Sequence, residues 1–244
     1  MSNLPLISVV TPTFNRANNY LRAAIESVLT QTYNNIEYIV VDDASVDNTE
    51  KLVRSFNDKR LIYYKNEHNR GEYWSTNFGM NLAKGKYVTW LHSDDLLPLN
   101  SLELRTRYLE NNDLFDFVHG DIQKIDERGM ALEKLKATDD TGVSVWKQYF
   151  NKLKSGKMAY LVHHTTIMMK KDFFKQVGLL DCDLPFAGDI DWLIRALQKG
   201  KYRRIAAVLY LYREHQLSRR RLDIKHSVDK EKIRKIIALR YADL

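Results

Sequence analysis

The strongest constraint on the fold is an alternation that runs from Leu6 to Leu91. Four short apolar or β-branched runs, Leu6–Thr11 (LISVVT), Ile36–Val41 (IEYIVV), Leu61–Tyr64 and Tyr87–Leu91 (YVTWL), read as buried strands. Helical periods separate them. Asn18–Thr30 places Leu21, Ala24, Ile25, Val28 and Leu29 on one face. A second helix carries Leu52, Val53 and Phe56, with Ser45 or Asp47 as its cap, and a third spans Tyr73–Ala83 and stops near Gly85. Strands joined by helical crossovers pair in parallel, so this order implies an α/β fold: a mainly parallel central sheet with helices on both faces. In such sheets ligands sit outside the carboxyl ends of the strands.

The unusual residues fall at those ends. The first strand ends in Thr11-Pro12-Thr13-Phe14-Asn15-Arg16, the second in Asp42-Asp43-Ala44-Ser45 and the fourth in His92-Ser93-Asp94-Asp95. Helix capping explains Ser45 or Asp47 well. It explains adjacent Asp94 and Asp95 less well, since a cap needs one residue. Paired carboxylates after a buried strand are costly unless solvated, hydrogen-bonded or bound to a cation, and hard divalent cations take such oxygens.

Beyond His92 the pattern loosens. Leu99–Glu110 and Ile190–Leu197 read as helices, the latter ended by Gly200; Phe115–Gly120, Thr166–Met169 and Ile205–Tyr212 read as strands. The polar stretch Lys136–Gly142 is the candidate mobile loop. Adjacent His163 and His164 would point to opposite faces of a strand and make a poor metal pair alone.

The chain has 244 residues and one cysteine, Cys182, which excludes an internal disulfide framework or a cysteine-rich zinc site. No apolar run reaches the ~18–20 residues of a membrane span. The start, MSNLPLISVV, shows no signal-peptide pattern, so a cytoplasmic location is expected. Arg213–Arg240 holds ten basic and four acidic residues, six of the seven excess positive charges. That stretch is either a solvated terminal helix or a surface for an anion such as a phosphate or a lipid headgroup. Nucleic acid is not expected as a partner, because no nucleic-acid-binding pattern accompanies the charge. Ile224, Val228, Ile233, Ile237 and Tyr241 recur at near-helical spacing, which suits packing on the core or against a second copy in a homodimer. Glycine-rich dinucleotide, phosphate-loop, nucleophile-elbow and H-E-x-x-H motifs are all absent.

Taken together, SVVTPTFNR, IEYIVVDDASVDNT, GEYWSTNFGMNLAKGKYVTWLHSDDLLP, HTTIMMKKDFFKQVGLLD, FAGDIDWLIRAL and LYLYREHQLS make the chain resemble the family 2 glycosyltransferases from about Leu6 to Ser218 in consistent order. The resemblance implies a GT-A fold over residues 1–220, followed by a basic C-terminal helix over 221–244. It implies inverting transfer of a sugar from a nucleotide-diphosphate donor, a UDP-sugar above all, to a saccharide or lipid-linked saccharide, with peripheral contact at the inner face of a membrane. In that reading Thr11, Pro12, Thr13, Arg16 and Ser93 line the nucleotide pocket, and Asp43 accepts a hydrogen bond from the base. Asp94 ligates Mn²⁺ or Mg²⁺ with Asp95 beside it, and His92 and His215 complete the metal set. Asp189 is the general base, with Asp191 competing for that role, and Arg213 and Ser218 contact the pyrophosphate. His92 stands where the family usually carries Asp, and Gly188 where it usually carries Glu. These two departures favour the alternative, a decayed sugar-nucleotide-binding module of the same fold.

Overall fold

The computed structural model describes residues 4–139, 161–184 and 187–216, together with 145, 147, 148, 151, 236 and 239–241. Four parallel strands build one half of the sheet: β1 (Ile7–Thr13), β2 (Ile36–Asp42), β3 (Leu61–Lys65) and β4 (Tyr87–Trp90), in spatial order β3-β2-β1-β4. Helices α1 (Leu21–Leu29), α2 (Thr49–Arg54) and α3 (Glu72–Leu82) make the crossovers, and α4 (Ser101–Glu110) follows β4. The first helix begins at Leu21 rather than Asn18. The residues before it form a turn in which the Ala17 N–H donates to Asp47 Oδ2 at 3.0 Å. Asp47 also accepts from the Thr49 N–H at 3.0 Å and so serves the start of α2, whereas Ser45 Oγ accepts from the Asn15 N–H.

The other half of the sheet is mixed. β5 (Phe117–Ile125) runs past its expected end at Gly120 before hairpinning into β6 (Ala131–Leu135). The short β7 (Met168–Lys170) lies antiparallel between β4 and β5, and β8 (Tyr202–Arg213) pairs β5 in parallel. α5 (Lys171–Val177) and α6 (Gly188–Lys199) complete the set, and His164–Thr166 forms a single 3₁₀ turn instead of the start of a strand.

Alternation along the strands assigns the core to two layers. Val10, Ile39, Val41, Val88 and Trp90 pack under α3 and α6, with Trp192 wholly buried. Val9, Tyr38, Val40 and Tyr87 pack against α1 and α4. Among the described residues no helix is long and apolar enough to cross a membrane.

Candidate active site

The parallel strands finish in register, with Thr13 opposite Asp42 and Asp42 opposite Lys65. The loops that leave them are fixed to one another. The Asp43 N–H donates to Thr13 O at 2.8 Å, and the Val46 N–H to Asn15 Oδ1 at 2.9 Å. Asn15 (φ 52°) and Ala44 (φ 66°) adopt the left-handed conformation that non-glycine residues rarely take, so both turns carry local strain that their cross-links sustain.

Asp43 is 4% exposed and gathers three donors: Asn66 Nδ2 (2.8 Å) and Arg70 N–H (2.9 Å) on Oδ1, and Gly71 N–H (2.8 Å) on Oδ2. Gly71 (φ 89°) takes the backbone conformation this approach requires. Asp43 thus anchors the start of α3, and one lone-pair position on Oδ2 stays open. Thr13 Oγ1 is buried and has no partner among the described residues. Pro12 and Ser93 are buried at the same strand ends. Thr11 differs from expectation: its hydroxyl shares a hydrogen bond with Tyr38 at 3.0 Å within the α1 layer, away from the crevice. Strand alternation places it there.

After β4, the two adjacent aspartates part company. Asp94 keeps a side chain 19% exposed, with His215 Nε2 at 3.0 Å and Arg16 at 3.6 Å from Oδ2. Burial pushes the Asp94 carboxyl up, but His215, His92 and Arg16 outweigh it and hold it below the ordinary carboxylate range. Asp95 is 1% exposed. Its Oδ2 accepts from the Tyr210 hydroxyl (2.8 Å) and its Oδ1 from the Arg213 N–H (2.7 Å). That pairing fastens the β4 loop to β8. The His92 ring lies 3.2 Å from Glu72 Oε1 and 3.6 Å from Asp95 Oδ2. Burial alone would lower its pKa, but Glu72, Asp95 and Asp94 lift it to about 9. Arg213, expected on the pyrophosphate, is 5% exposed. It donates to the carbonyls of Asp94, Asp126 and Glu127 at 3.0 Å each and lies over the Tyr20 ring. It buttresses the loop that carries Asp94. Ser218 lies outside the described residues.

The acid pair on α6 separates in the same way. Asp189 accepts from the Tyr73 hydroxyl at 3.0 Å and the Ile190 N–H at 2.8 Å on Oδ1, and His164 Nε2 lies 3.1 Å from Oδ2. The His164 ring is 6.2 Å from that of His92, so Asp189 faces the strand-end crevice. Asp191 is 1% exposed and is held by Arg195 (2.9 Å), Arg240 (2.9 Å) and the Tyr241 hydroxyl (2.7 Å). Two residues along a helix turn the side chain by about 200°, so Asp191 looks away from the crevice and is no alternative base. Sequence reasoning missed Glu72, Tyr73 and His164. Tyr73 also belongs to the core, and no spacing rule links positions 73, 164 and 189.

Of the four residues expected to hold a metal, Asp94 and His215 face each other, while Asp95 is engaged by Tyr210 and the Arg213 main chain and His92 by Glu72. Among the described residues, no three His, Cys, Asp or Glu side chains gather into a metal-holding group. A carboxylate oxygen and an imidazole nitrogen 3.0 Å apart fit a Mn²⁺ or Mg²⁺ ion that takes its other ligands from a diphosphate. Lys136–Gly142, expected to be mobile, is anchored where it is described. The Ala137 N–H donates to Asp121 Oδ1 at 3.1 Å, and Asp139 pairs with Arg204 at 2.6 Å; residues 140–142 lie outside the described set.

Comparison with known proteins bears on this crevice. The family model described as Glycosyl transferase family 2 matches residues 8–178. An uncharacterized glycosyltransferase of Methanocaldococcus jannaschii is 32% identical over 213 residues, covering 86% of this chain and 71% of its own. One from Rickettsia felis is 34% identical over 197 residues, 80% of this chain, yet the chain spans only 32% of that relative's length. Among solved structures, S. aureus TarS 1-349 in complex with UDP-GlcNAc superposes with a TM-score of 0.74 at 20% identity, over 98% of this chain and 67% of its own. The mannosyltransferase PcManGT from Pyrobaculum calidifontis, in complex with GDP-Man and Mn²⁺, gives a TM-score of 0.61 at 20% identity, over 89% of this chain and 59% of its own. These structural matches establish the GT-A fold.

Proposed function

The chain belongs to glycosyltransferase family 2, and from that premise we propose that it transfers a sugar, with inversion, from a UDP-sugar to an acceptor hydroxyl. The observation that carries the reading is the placement of two exposed-facing carboxylates, Asp94 with His215 and Asp189 with His164, on either side of the crevice at the strand ends. UDP is favoured because TarS, which shares the fold, is solved with UDP-GlcNAc. The acceptor is a saccharide or lipid-linked saccharide in surface polysaccharide or glycoconjugate synthesis. Work at the inner face of a membrane suits the basic stretch Arg213–Arg240. The transferase domain is residues 1–220, with 221–244 a C-terminal segment; Tyr241, which is buried against α6, supports its association with the domain.

In-line displacement at the anomeric carbon asks for two things. The acceptor hydroxyl must shed its proton as it attacks, and Asp189 Oδ2 takes it. The departing diphosphate gathers negative charge, and Arg16, anchored beside Asp94, supplies a cation there. When bound at Asp94 and His215, Mn²⁺ or Mg²⁺ adds Lewis-acid stabilisation of that same charge.

Calorimetric titration with UDP and with GDP, each with and without Mn²⁺, tests the reading. The expected result is metal-dependent binding of UDP, weakened at least about tenfold by Asp94→Ala and unchanged by Asp189→Asn, which instead abolishes UDP release from a UDP-sugar. Failure to bind either nucleotide overturns the proposal. Binding without turnover in the unaltered chain would mark a nucleotide-sugar-binding module instead.

A further inference from the structure

Gly188 precedes Asp189 at the first position of α6. A Cβ there would meet Asp181 O at 2.5 Å and the Tyr73 ring at 2.8 and 2.9 Å. The aromatic ring of Tyr73 therefore occupies the room that any side chain at 188 would need. Tyr73 is buried, and its hydroxyl reaches across to Asp189 Oδ1 at 3.0 Å. The Ile190 N–H fills the second acceptor position of that oxygen at 2.8 Å. On the other oxygen, His164 Nε2 lies 3.1 Å away in packing contact, without a hydrogen bond among the described residues. His164 leaves the 3₁₀ turn beside Trp90, whose ring it stacks upon at 6.4 Å. Burial keeps the imidazole below its ordinary range despite Asp189.

We propose that Tyr73 and His164 are positioning residues for the base: the Tyr73 hydroxyl and the Ile190 N–H saturate Asp189 Oδ1, and the His164 ring packs beside Oδ2, so the carboxylate is held in one rotamer with Oδ2 presented to the acceptor hydroxyl. A carboxylate at the mouth of a crevice is otherwise free to rotate about its Cβ–Cγ bond, and each rotation changes which lone pair faces the substrate. Fixing the rotamer raises the fraction of encounters that are productive, and misplacement of a reacting group by about 1 Å costs on the order of a hundredfold in rate. The side chain at 73 can do this only because residue 188 has none. Tyr73 also follows Glu72, whose carboxylate holds His92, so consecutive residues of α3 set the two walls of the crevice.

This inference rests on Asp189 acting as the base, and the test separates the two. UDP release from UDP-GlcNAc is measured with water as acceptor for the full chain, Tyr73→Phe, His164→Gln, Gly188→Ala and Asp189→Asn, with UDP affinity read by calorimetry. Tyr73→Phe keeps the ring that packs on Gly188 and removes only the hydroxyl. The expected result is a loss of roughly tenfold or more in kcat for Tyr73→Phe and for His164→Gln, with UDP affinity and donor KM within about twofold of the unaltered chain. Gly188→Ala, which displaces the Tyr73 ring, loses kcat in the same way. Rates within twofold for both Tyr73→Phe and His164→Gln, beside an inactive Asp189→Asn, overturn the positioning role and leave the base in place. An active Asp189→Asn overturns the base and this inference with it. A general structural effect would appear as a parallel loss of UDP affinity and of thermal stability, and that pattern also counts against it.

Discussion

At the scale of single residues, the structure repeatedly divides neighbours that look equivalent in the sequence. Asp94 and Asp95 are adjacent, yet one faces the crevice with His215 and the other is spent on Tyr210 and the Arg213 main chain. Asp189 and Asp191 divide in the same manner. Residue type and motif located both clusters; which member is presented depends on helix rotation and on partners from other elements of the chain, and local pattern cannot carry that. Buried histidines tell a similar story. His119 is fully buried on β5, and burial drives its pKa down to about 3; His163, also buried, falls to about 4. Both stay neutral in the fold but protonate near 6.5 in the unfolded chain, so between about pH 6.5 and 4 the unfolded state binds more protons and stability is lost as the pH is lowered. His119→Gln removes one such group. Its unfolding free energy, followed by urea titration from pH 7 to 4, should fall less steeply than that of the unaltered chain by up to about 1.4 kcal/mol per pH unit. Equal slopes would show that His119 gains no proton on unfolding.

Among elements, α3 is the one on which the site depends most. It lies close to β1 and β2 because Gly79 has no side chain: a Cβ there would collide with Val10 Cγ1 and come within 3.1 Å of Val41 Cγ2. Gly79→Ala should cost about 1–3 kcal/mol by overpacking, read as a lower Tm, since the strand residues beneath are fixed by the sheet. An unchanged Tm would mean that the helix can ride outward without loss. The strands and helices from Leu6 to Leu91 were legible because each buried face leaves a clean period. Two later elements were not. β6 is almost wholly exposed and carries no apolar alternation, and α5 is too short to show a period. Partnering rather than composition makes them what they are.

For the whole molecule, the two ends of the sequence meet the site from different directions. The opening strand supplies Thr13 and Arg16, while Arg240 and Tyr241 close on α6 from behind, pairing with Asp181 and Asp191. Tyr241 is 6% exposed and belongs to the core layer beneath α3 and α6. Removal of residues 240–244 takes away two donors from a buried carboxylate, which should cost about 1–3 kcal/mol and lower the Tm by several degrees while UDP affinity is kept. A shortened chain with the same Tm would show that Arg195 alone satisfies Asp191.

One more consequence lies in the start of α3. Within three residues, Gly71 is tied to Asp43, Glu72 to His92, and Tyr73 to Asp189. With the roles proposed for Asp43 and Asp189, this short span is a shared chassis for donor choice and for chemistry. An engineer who reshapes the base pocket around Asp43 to accept a different nucleotide also moves the mount of the proton acceptor, so retargeted variants should bind their new donor well before they turn it over, and restoring speed will call for repair at 73 and 188 rather than at the pocket itself.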